Sequence, residues 1–409
     1  MLINRIALKN FKCFREVDIK LAPLTLLTGA NSSGKSSLIY GILLPFQSQG
    51  FPFYLSPNGK YVNLGDFEEM AFKHDKKSEI GIEIHVNLYR QENVISTSWV
   101  IPTSHIVSKL NHSILENNIL TYEAKYYDGH IISLYDEKLP ENTKEYLYNV
   151  ATNNVENIEA AIINITKNIP RIVILNLEGQ FADLYLNPEM NFIGPFRHPP
   201  ERTYYRKTHV SGYIGINGED YIDQIIEWES QKSNKFHQLK KILKELGLVN
   251  TIKSRQLRGG RFELSVKTNS KSVWASLTDV GFGISQFLPI VVADLQLTDD
   301  SLLLLAQPEI HLHPSIQASL GDYFIKQIKT TEKQYVVETH SEYLLHRIRL
   351  RIVQGEIEPN DMAIYYFEPS PDGTITHQLE FTKDGQILNA PPGFFDTYML
   401  DTMDIALNA

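Results

Sequence analysis

Short runs in which hydrophobic and polar residues alternate recur along the chain, and they predict β-strands. Residues 3–14 and 17–21 alternate in this way at the amino terminus, and residues 78–88 and 94–101 continue the pattern. The segment 24–28 is instead a continuous apolar run, LTLLT, which favours a strand buried on both faces. The first hundred residues are therefore predicted to be rich in strands.

Longer segments with a period near 3.6 predict helices among further strands. Helical patterns cover residues 36–44, 221–248 and 283–295, whereas residues 104–190 mix both periods. Further strand patterns lie at 261–266, 272–277, 302–305, 334–338, 363–367 and 374–381, the last two joined by a turn at Pro371-Asp372-Gly373. Strands that alternate with helices indicate an α/β architecture.

The composition is that of a folded protein, with 43% hydrophobic and 21% charged residues in a chain of 409. This length suits one large domain or two ordinary ones. The single Cys13 can form no disulfide within the chain, which favours a reducing compartment. No apolar run approaches the roughly 20 residues that a membrane-spanning helix needs. We therefore expect a cytoplasmic protein that does not span a membrane.

The charge balance bears on nucleic-acid binding. Lys and Arg number 39 against 48 Asp and Glu, a net charge of −9, which argues against a protein that coats nucleic acid with its whole surface. A local basic cluster nevertheless contains Lys253, Arg255, Arg258 and Arg261. Such a cluster contacts a phosphate backbone or is simply a solvated face. DNA is therefore an open partner at this point.

The segment GANSSGKS, residues 29–36, fits the phosphate-binding pattern G-x-x-x-x-G-K-[ST]. It follows the strand LTLLT and precedes a predicted helix, which is the context that the motif requires. Gly29 and Gly34 let backbone N–H groups converge on phosphate oxygens, Lys35 adds a positive charge, and the Ser36 hydroxyl completes a Mg²⁺ shell. The predicted ATP-binding residues of this loop are Asn31, Ser32, Ser33, Gly34, Lys35, Ser36 and Ser37. The predicted cofactors are ATP and Mg²⁺.

Three later segments carry further candidate chemistry. The Gly-rich loop 278–286, TDVGFGISQ, places Ser285 before an apolar helix, where its hydroxyl can meet an anion or serve as an ordinary helix cap. The segment 306–314, AQPEIHLHP, follows the strand 302–305. His340 follows the strand 334–338, where it can act on a phosphate or be an ordinary buried histidine.

Together these motifs resemble the ABC-type ATPase heads of the SMC-like and OLD families. The shared segments are IALKNFKCF at 6–14, NSSGKSS at 31–37, SQFLP at 285–289, QPEIHLHP at 307–314 and ETHSEYLL at 338–345. The likeness is greatest to short bacterial ATPases of anti-phage defence operons, such as Septu-like systems. It covers residues 1–90 and 255–409 well. We expect no nuclease-type Toprim domain of the kind that OLD proteins have, because only 69 residues follow His340 in this sequence.

The resemblance implies a composite site in which two subunits sandwich ATP. Ser285 then contacts the γ-phosphate across the dimer interface, and His340 senses that phosphate in its own subunit. The resemblance also implies that Lys12 contacts the nucleotide and that Gln47 joins Ser36 at Mg²⁺. The alternative for Lys12 is an outward side chain on an amphipathic strand.

The chain departs from the family at the end of the strand 302–305. In the family, the corresponding strand ends in two acidic residues. Here Ala306 and Gln307 occupy those positions. Neither is a general base, and Ala306 holds no metal-bound water. Hydrolysis is then slow or absent, or Glu309 substitutes as the base, or Ala306 is an engineered change that traps bound ATP. We retain Gln307, Glu309 and His340 as the catalytic candidates.

The predicted fold is an α/β ABC-type P-loop ATPase head with a mixed β-sheet, flanking helices and an inserted α+β lobe, without a long coiled coil. Its predicted lobes are residues 1–90, 91–250 and 251–409. The predicted function is an ATPase subunit that forms a homodimer or a higher homo-oligomer around ATP. It controls a separate effector, such as a nuclease, in anti-phage defence or DNA transactions. The alternative is a scaffold that binds ATP without hydrolysis and holds a toxic partner inactive.

Overall fold

The computed structural model describes residues 2–48, 51, 55–88, 91–100, 107–116, 119–127, 130–136, 189–205, 212–391 and 394. The strands are β1 Leu2–Phe11, β2 Phe14–Lys20, β3 Leu24–Gly29, β4 Ile80–Leu88, β5 Gln91–Val100, β6 Val107–Glu116, β7 Ile119–Tyr127, β8 His130–Asp136, β9 Met190–Ile193, β10 Tyr204–Tyr205, β11 Thr251–Gln256, β12 Arg261–Lys267, β13 Ala275–Ser276, β14 Leu302–Ala306, β15 Gln334–Glu338, β16 Met362–Glu368, β17 Ile375–Phe381 and β18 Ile387–Leu388. The helices are α1 Lys35–Gln47, α2 Phe67–Met70, α3 Tyr221–Ser230, α4 Asn234–Glu245, α5 Phe282–Gln296, α6 Pro314–Thr330 and α7 Glu342–Val353.

The chain forms two compact units that interleave in sequence. The first comprises the described residues of Met1–Leu21, Ser32–Pro188 and Pro369–Ile375, and the second those of Ala22–Asn31, Glu189–Glu368 and Thr376–Ala409. The phosphate-binding loop 29–36 is the covalent passage from β3 of the second unit to α1 of the first.

The first unit is built on an antiparallel sheet with the strand order β2-β1-β4-β5-β6-β7-β8. Alternation along β1 buries Ile6 and Leu8 on one face, as the sequence pattern predicts. Helix α1 packs on this strand, and Gly41 of the helix lies against the Leu8 side chain. The absence of a side chain at Gly41 thus lets helix and strand approach closely.

The second unit is built on a mostly parallel sheet with the order β18-β17-β16-β3-β15-β14-β9. Strands β16, β3, β15, β14 and β9 are mutually parallel. Strands β14 and β15 are buried at every position, which explains the unbroken apolar sequence of β14 and the apolar centre of β15 between Gln334 and Glu338. Helices α6 and α7 contact each other, and α6 also contacts β3.

A smaller antiparallel sheet, β10-β12-β11 with β13 paired to β12, belongs to the same unit. Helices α3 and α4 contact β11, and both also contact α5. Helix α5 is buried from Ile284 to Asp294 and contacts β9 and β14. One hydrophobic core therefore joins the small sheet, these helices and the central sheet.

The predicted fold class is confirmed by this mixture of sheets and flanking helices. The helix predicted over 221–248 is wrong in one respect, because it is two helices, α3 and α4. Lys232 has a φ of 53° and Ser233 accepts a hydrogen bond from the Lys235 N–H as the cap of α4, so the chain turns there. Similarly, residues 3–14 are not one strand, because the chain turns between β1 and β2 at Lys12.

The predicted lobes 1–90, 91–250 and 251–409 stay a prediction about organisation along the sequence. Much of the middle lobe, residues 137–188, lies outside the described residues. Within the described part of the chain the longest helix is α6, with 17 residues. That same part contains no helix long and apolar enough to cross a membrane.

Candidate nucleotide-binding site

Parallel strands β3, β15, β14 and β9 bring several predicted site residues to one edge of the central sheet. Ligands of open α/β sheets bind beyond the carboxyl ends of the strands. At this edge Gly29 ends β3, Glu338 ends β15 and Ala306 ends β14. Ala306 and Glu338 are directly paired across the two strands. The segments 29–31, 306–309 and 338–341 therefore emerge side by side from one sheet.

The phosphate-binding loop enters α1 through Gly34, which has a φ of 103°. A side chain here would be strained, and a Cβ atom would lie only 2.5 Å from the Cys13 sulfur. The Thr374 hydroxyl supports the loop by donating a 2.8 Å hydrogen bond to the carbonyl oxygen of Ser33. Glycine is thus required at position 34 both by backbone conformation and by space.

Lys35 is buried, with 3% of its surface exposed, although it carries an ammonium group. Its Nζ lies 3.4 Å from the hydroxyl of Ser33, which is itself fully buried. The positive charge is therefore turned toward the loop rather than toward solvent. A phosphate group bound at this loop can form charge-assisted hydrogen bonds with such an ammonium group.

The amino terminus of α1 also suits an anion. The helix has 13 residues, its first turn contains no acidic residue, and no side chain caps it. The positive end of the helix dipole and the first backbone N–H groups are therefore not offset by a local carboxylate. The loop, Lys35 and this helix end together fit the β- and γ-phosphates of ATP.

Two predicted ligands are instead engaged with the backbone of their own unit. The Lys12 Nζ donates to the carbonyl oxygens of Leu64 and Glu69, at 3.0 Å each. Burial lowers the pKa of Lys12. The Gln47 amide donates to the carbonyls of Ser56 and Val62 and accepts from the N–H groups of Tyr61 and Val62. Their predicted roles at the nucleotide and at Mg²⁺ remain predictions.

Gln307 begins the segment that leaves β14 and has a φ of 50°, in the left-handed region. Its N–H donates a 2.8 Å hydrogen bond to the carbonyl of Glu338. Its own carbonyl accepts a 2.7 Å hydrogen bond from Nη2 of Arg197. The chain reversal after Ala306 is thus held from both sides, which fixes the direction in which the half-buried Gln307 side chain leaves the strand.

Arg197 joins this segment to the start of α5, a contact that the sequence does not reveal. The guanidinium is buried and donates to the carbonyls of Gly194, Gln286 and Ala306 as well as Gln307. The Gln286 amide donates in return to the carbonyl of Arg197, at 3.4 Å. Burial lowers the pKa of Arg197 to about 10, with the nearby Glu309 charge acting in the opposite direction.

Glu309 is a buried carboxylic acid, with only 7% of its surface exposed. Its Oε1 accepts a 2.6 Å hydrogen bond from the backbone N–H of His340. Its Oε2 has no hydrogen-bond partner among the described residues. Burial raises the pKa of Glu309. A buried carboxyl oxygen without a partner costs free energy and is a candidate to bind a water molecule or a reacting group.

The Gly-rich segment 278–286 includes the first turn of α5, which begins at Phe282, and this turn packs against the segment that follows Glu309. Gly283 lies against the backbone carbonyl of His311, and a Cβ atom at this glycine would be 2.6 Å from that oxygen. The rings of Phe282 and His311 meet edge to face at 5.0 Å, and Phe282 is 44% exposed. The Ser285 hydroxyl is buried and donates a 2.7 Å hydrogen bond to the Phe282 carbonyl.

The structure thus brings Gln307, Glu309, His340 and the loop of Ser285 together in the second unit. Ser33, Gly34, Lys35, Ser36 and Ser37 lie in the first unit at the start of α1, and Asn31 and Ser32 stand at the junction of the two units. The sequence did not predict a role for Glu338 or the hydrogen bonds of Arg197. The only signal for Glu338 was its position at the end of a buried strand beside another such strand.

Solved structures with a similar fold include an SMC head domain from Thermotoga maritima, at 11% identity and a TM-score of 0.44, covering 92% of this chain and 98% of that one. Another is an SmcHead bound to the C-winged helix domain of ScpA, at 13% identity and a TM-score of 0.43, covering 93% of this chain and 98% of that one. A third is an Smc head domain with an extended coiled coil, bound to the C-terminal domain of ScpA and derived from Pyrococcus furiosus. It has 12% identity and a TM-score of 0.41, and the match covers 99% of both chains. These similarities are too low to transfer residue roles. None of the curated proteins compared with the chain matches it.

Two family models match the sequence. Residues 357–405 match a protein family of unknown function, DUF3696. Residues 1–345 match the model of an AAA ATPase domain, AAA_15, and this match confirms the predicted P-loop ATPase. Because that model spans most of the chain and includes the loop 29–36 and the segments around Ser285, Gln307 and His340, the protein belongs to the AAA_15 family of AAA ATPase domains.

Proposed function

We propose that this protein is an ATP-dependent switch whose heads dimerise around ATP and thereby control a separate effector protein. The observation that carries the proposal is the buried Lys35, turned toward the loop at the uncapped start of α1. When bound, Mg²⁺ offsets the negative charge of the triphosphate. The Ser36 hydroxyl is the protein ligand that we assign to it, and Gln47 remains a second candidate.

Dimerisation is supported by the surface beside Ser285. Phe282 of the Gly-rich segment is 44% exposed, and its ring meets the ring of the exposed His311 edge to face. An exposed aromatic pair beside a polar loop is typical of an interface that a second subunit covers. In the proposed dimer the loop of Ser285 meets the ATP of the partner, and His340 acts on the ATP of its own subunit.

Hydrolysis in this chain is proposed to be slow. Ala306 offers no carboxylate, and Gln307 can orient a water molecule but cannot take its proton. Glu309 is the candidate base, because its Oε2 has no hydrogen-bond partner in the described part of the chain and its raised pKa favours accepting a proton. Glu338, paired with Ala306 across the strands, is the second carboxylate at this edge of the sheet.

The alternative function is a scaffold that binds ATP without hydrolysing it and holds a toxic partner inactive. Ala306 is the specific observation that favours it. The effector, such as a nuclease, the place in anti-phage defence or DNA transactions, and the cytoplasmic location all belong to the proposal. They rest on the family resemblance and on the single Cys13.

The two functions separate in one experiment. The chain is purified with the protein encoded beside it, and the mass of the complex and phosphate release are measured with and without Mg²⁺ and ATP. A switch changes its partner binding with ATP and releases the partner after hydrolysis. A scaffold binds ATP and keeps its partner throughout. The matched variant Lys35→Ala is expected to lose ATP binding in either case, and ATP binding that survives this change contradicts both functions.

A further inference from the structure

The small sheet of the second unit has one apolar face and one charged face. Ile252, Leu264 and Val266 point inward and belong to the hydrophobic core. Residues directly opposite each other in an antiparallel ladder point to the same side. The paired residues Lys253 and Ser265 therefore share the other side, with the neighbouring pairs Thr251–Lys267 and Arg255–Glu263. Tyr205 is paired with Arg261 on that same side.

We name this side the basic sheet face and define it by Tyr205, Lys253, Arg255, Arg261, Glu263, Lys267 and Trp274. It carries four cationic side chains against one carboxylate, and Arg258 adds a further positive charge at the turn between β11 and β12. The chain as a whole has a net charge of −9. The positive charge is therefore local and marks a surface for a polyanion.

Aromatic rings lie among these cations. The Lys253 and Lys267 ammonium groups lie 4.1 and 5.4 Å from the centre of the Trp274 ring. The Arg261 guanidinium lies 6.0 Å from the Tyr205 ring, and Tyr205 is 69% exposed. An exposed aromatic ring between cations offers a flat apolar surface next to a phosphate-binding charge.

The two aromatic positions lie toward opposite ends of β12. Tyr205 is beside Arg261 at its start, and Trp274 is near Lys267 at its end. Strand residues rise about 3.3 Å each, so the six steps from Arg261 to Lys267 span roughly 20 Å. This length accommodates a short run of nucleotides.

We propose that the basic sheet face binds single-stranded nucleic acid, with phosphates on the Lys and Arg side chains and unpaired bases stacked on Tyr205 and Trp274. A duplex can use the same cations but keeps its bases stacked inside, so it gains nothing from the rings. The proposal goes beyond ATP switching, and it stands or fails independently of it.

The test measures fluorescence anisotropy of labelled 15-nucleotide single strands, in DNA and RNA, and of a duplex of the same sequence, mixed with the full chain. Single strands are expected to bind more tightly than the duplex, and their affinity is expected to fall as salt rises. Comparing the affinities of the RNA and DNA single strands shows which of the two nucleic acids the face prefers. Poly-glutamate serves as the acidic-protein arm, and binding as tight as that of the single strands overturns the proposal in favour of a protein partner.

Two variants and one matched control sharpen the result. Lys253→Glu with Arg261→Glu is expected to weaken binding of every nucleic acid by about tenfold or more. Tyr205→Ala with Trp274→Ala is expected to weaken single strands by at least about fivefold and to leave the duplex unchanged. The control is Lys241→Glu with Lys244→Glu, the same charge change at two exposed lysines of α4. It is expected to bind as the unmodified chain does.

The outcomes decide between the possibilities. Equal loss in the basic-face and control variants indicates a general charge effect and overturns the assignment of the face. Aromatic variants that leave single-strand binding intact overturn the stacking claim. Thermal unfolding of each variant is measured first, and a variant that unfolds early is replaced by the single changes Arg261→Gln and Tyr205→Ser.

Discussion

The carboxyl oxygen Oε1 of Glu309 accepts a 2.6 Å hydrogen bond from the backbone N–H of His340. This bond ties the segment that follows β14 to the segment that follows β15. It uses one oxygen of Glu309 and leaves Oε2 without a hydrogen-bond partner within the described residues. The two candidate residues that the sequence placed 31 positions apart therefore form one structural element.

The first prediction concerns Glu309→Gln. Burial raises the pKa of Glu309, so the folded protein holds its proton more tightly than the unfolded chain does. Stability from this group is therefore fully present below the unfolded pKa and is lost as pH rises through the folded one. The variant keeps an acceptor for the His340 N–H but cannot ionise. We expect the free energy of unfolding, measured with urea from pH 4 to 8, to fall less with rising pH in Glu309→Gln than in the unmodified chain.

The same variant tests the base. If Glu309 takes the proton of the attacking water, Glu309→Gln lowers single-turnover phosphate release by about 100-fold or more and leaves ATP affinity nearly unchanged. Glu338→Gln is the comparison at the neighbouring carboxylate. Unchanged phosphate release in Glu309→Gln contradicts the assignment of the base.

A second prediction concerns Ala306→Glu. Restoring a carboxylate at the end of β14 is expected to raise ATP hydrolysis by about 100-fold or more, because the chain then has a carboxylate at the position where the family has one. Steady-state phosphate release measures it, with Ala306→Gln as a control of similar size without charge. Fast and equal hydrolysis by the unmodified chain and the variant contradicts the proposed slow hydrolysis.

Arg197→Lys provides a third prediction. A lysine keeps the charge but cannot donate to four carbonyls that lie around one planar group. The carbonyls left unpaired cost about 1–3 kcal/mol of the free energy of unfolding, and the orientation of Gln307 loosens. We expect lower stability and a lower kcat for ATP with KM little changed.

The matched control for this change is Arg202→Lys. Arg202 pairs with Asp279 on the surface, with its side chain 66% exposed. Such a pair contributes less than about 1 kcal/mol. Equal losses of stability in the two variants contradict the role given to Arg197.

A fourth prediction concerns the core of the second unit. Asp294 is fully buried, pairs with Lys333 at 3.0 Å, and accepts hydrogen bonds from the hydroxyls of Tyr323 and Tyr335. Asp294→Asn leaves the buried ammonium of Lys333 without its charge partner, which costs about 3–5 kcal/mol. Denaturant unfolding measures the loss. Glu245→Gln, which removes the exposed partner of Lys326, is expected to cost less than about 1 kcal/mol.

Local sequence signals predicted the elements that carry the site. The apolar run at 302–305 and the segment 334–338 are β14 and β15, and the helix predicted over 283–295 is α5 with one more residue at each end. These signals are strong because buried parallel strands and a buried helix leave nearly unbroken apolar sequences. The strand predicted over 272–277 is real only at Ala275–Ser276, because Val273 and Trp274 are exposed and the buried Leu277 begins a short 3-10 helix.

Contacts distant in sequence could not be predicted. Arg197 is 89 residues from Gln286 and 110 from Gln307, and no local pattern connects them. The pairing of Ala306 with Glu338 depends on strand order, which one sequence does not specify. The sequence shows that β11 and β12 contain a cluster of charged residues. Only the pairing of the strands shows that these charges and Tyr205 lie on the same face of the sheet.

ATP-dependent dimerisation is tested most directly by the mass of the protein in solution, measured by analytical ultracentrifugation. The unmodified chain is measured with Mg²⁺ and ATP and with Mg²⁺ alone, and Lys35→Ala is measured with Mg²⁺ and ATP. We expect a shift from monomer to dimer that requires ATP. We also expect Lys35→Ala to stay monomeric, because its ATP affinity falls at least about tenfold. An unmodified chain that binds ATP without any change in mass contradicts the switch.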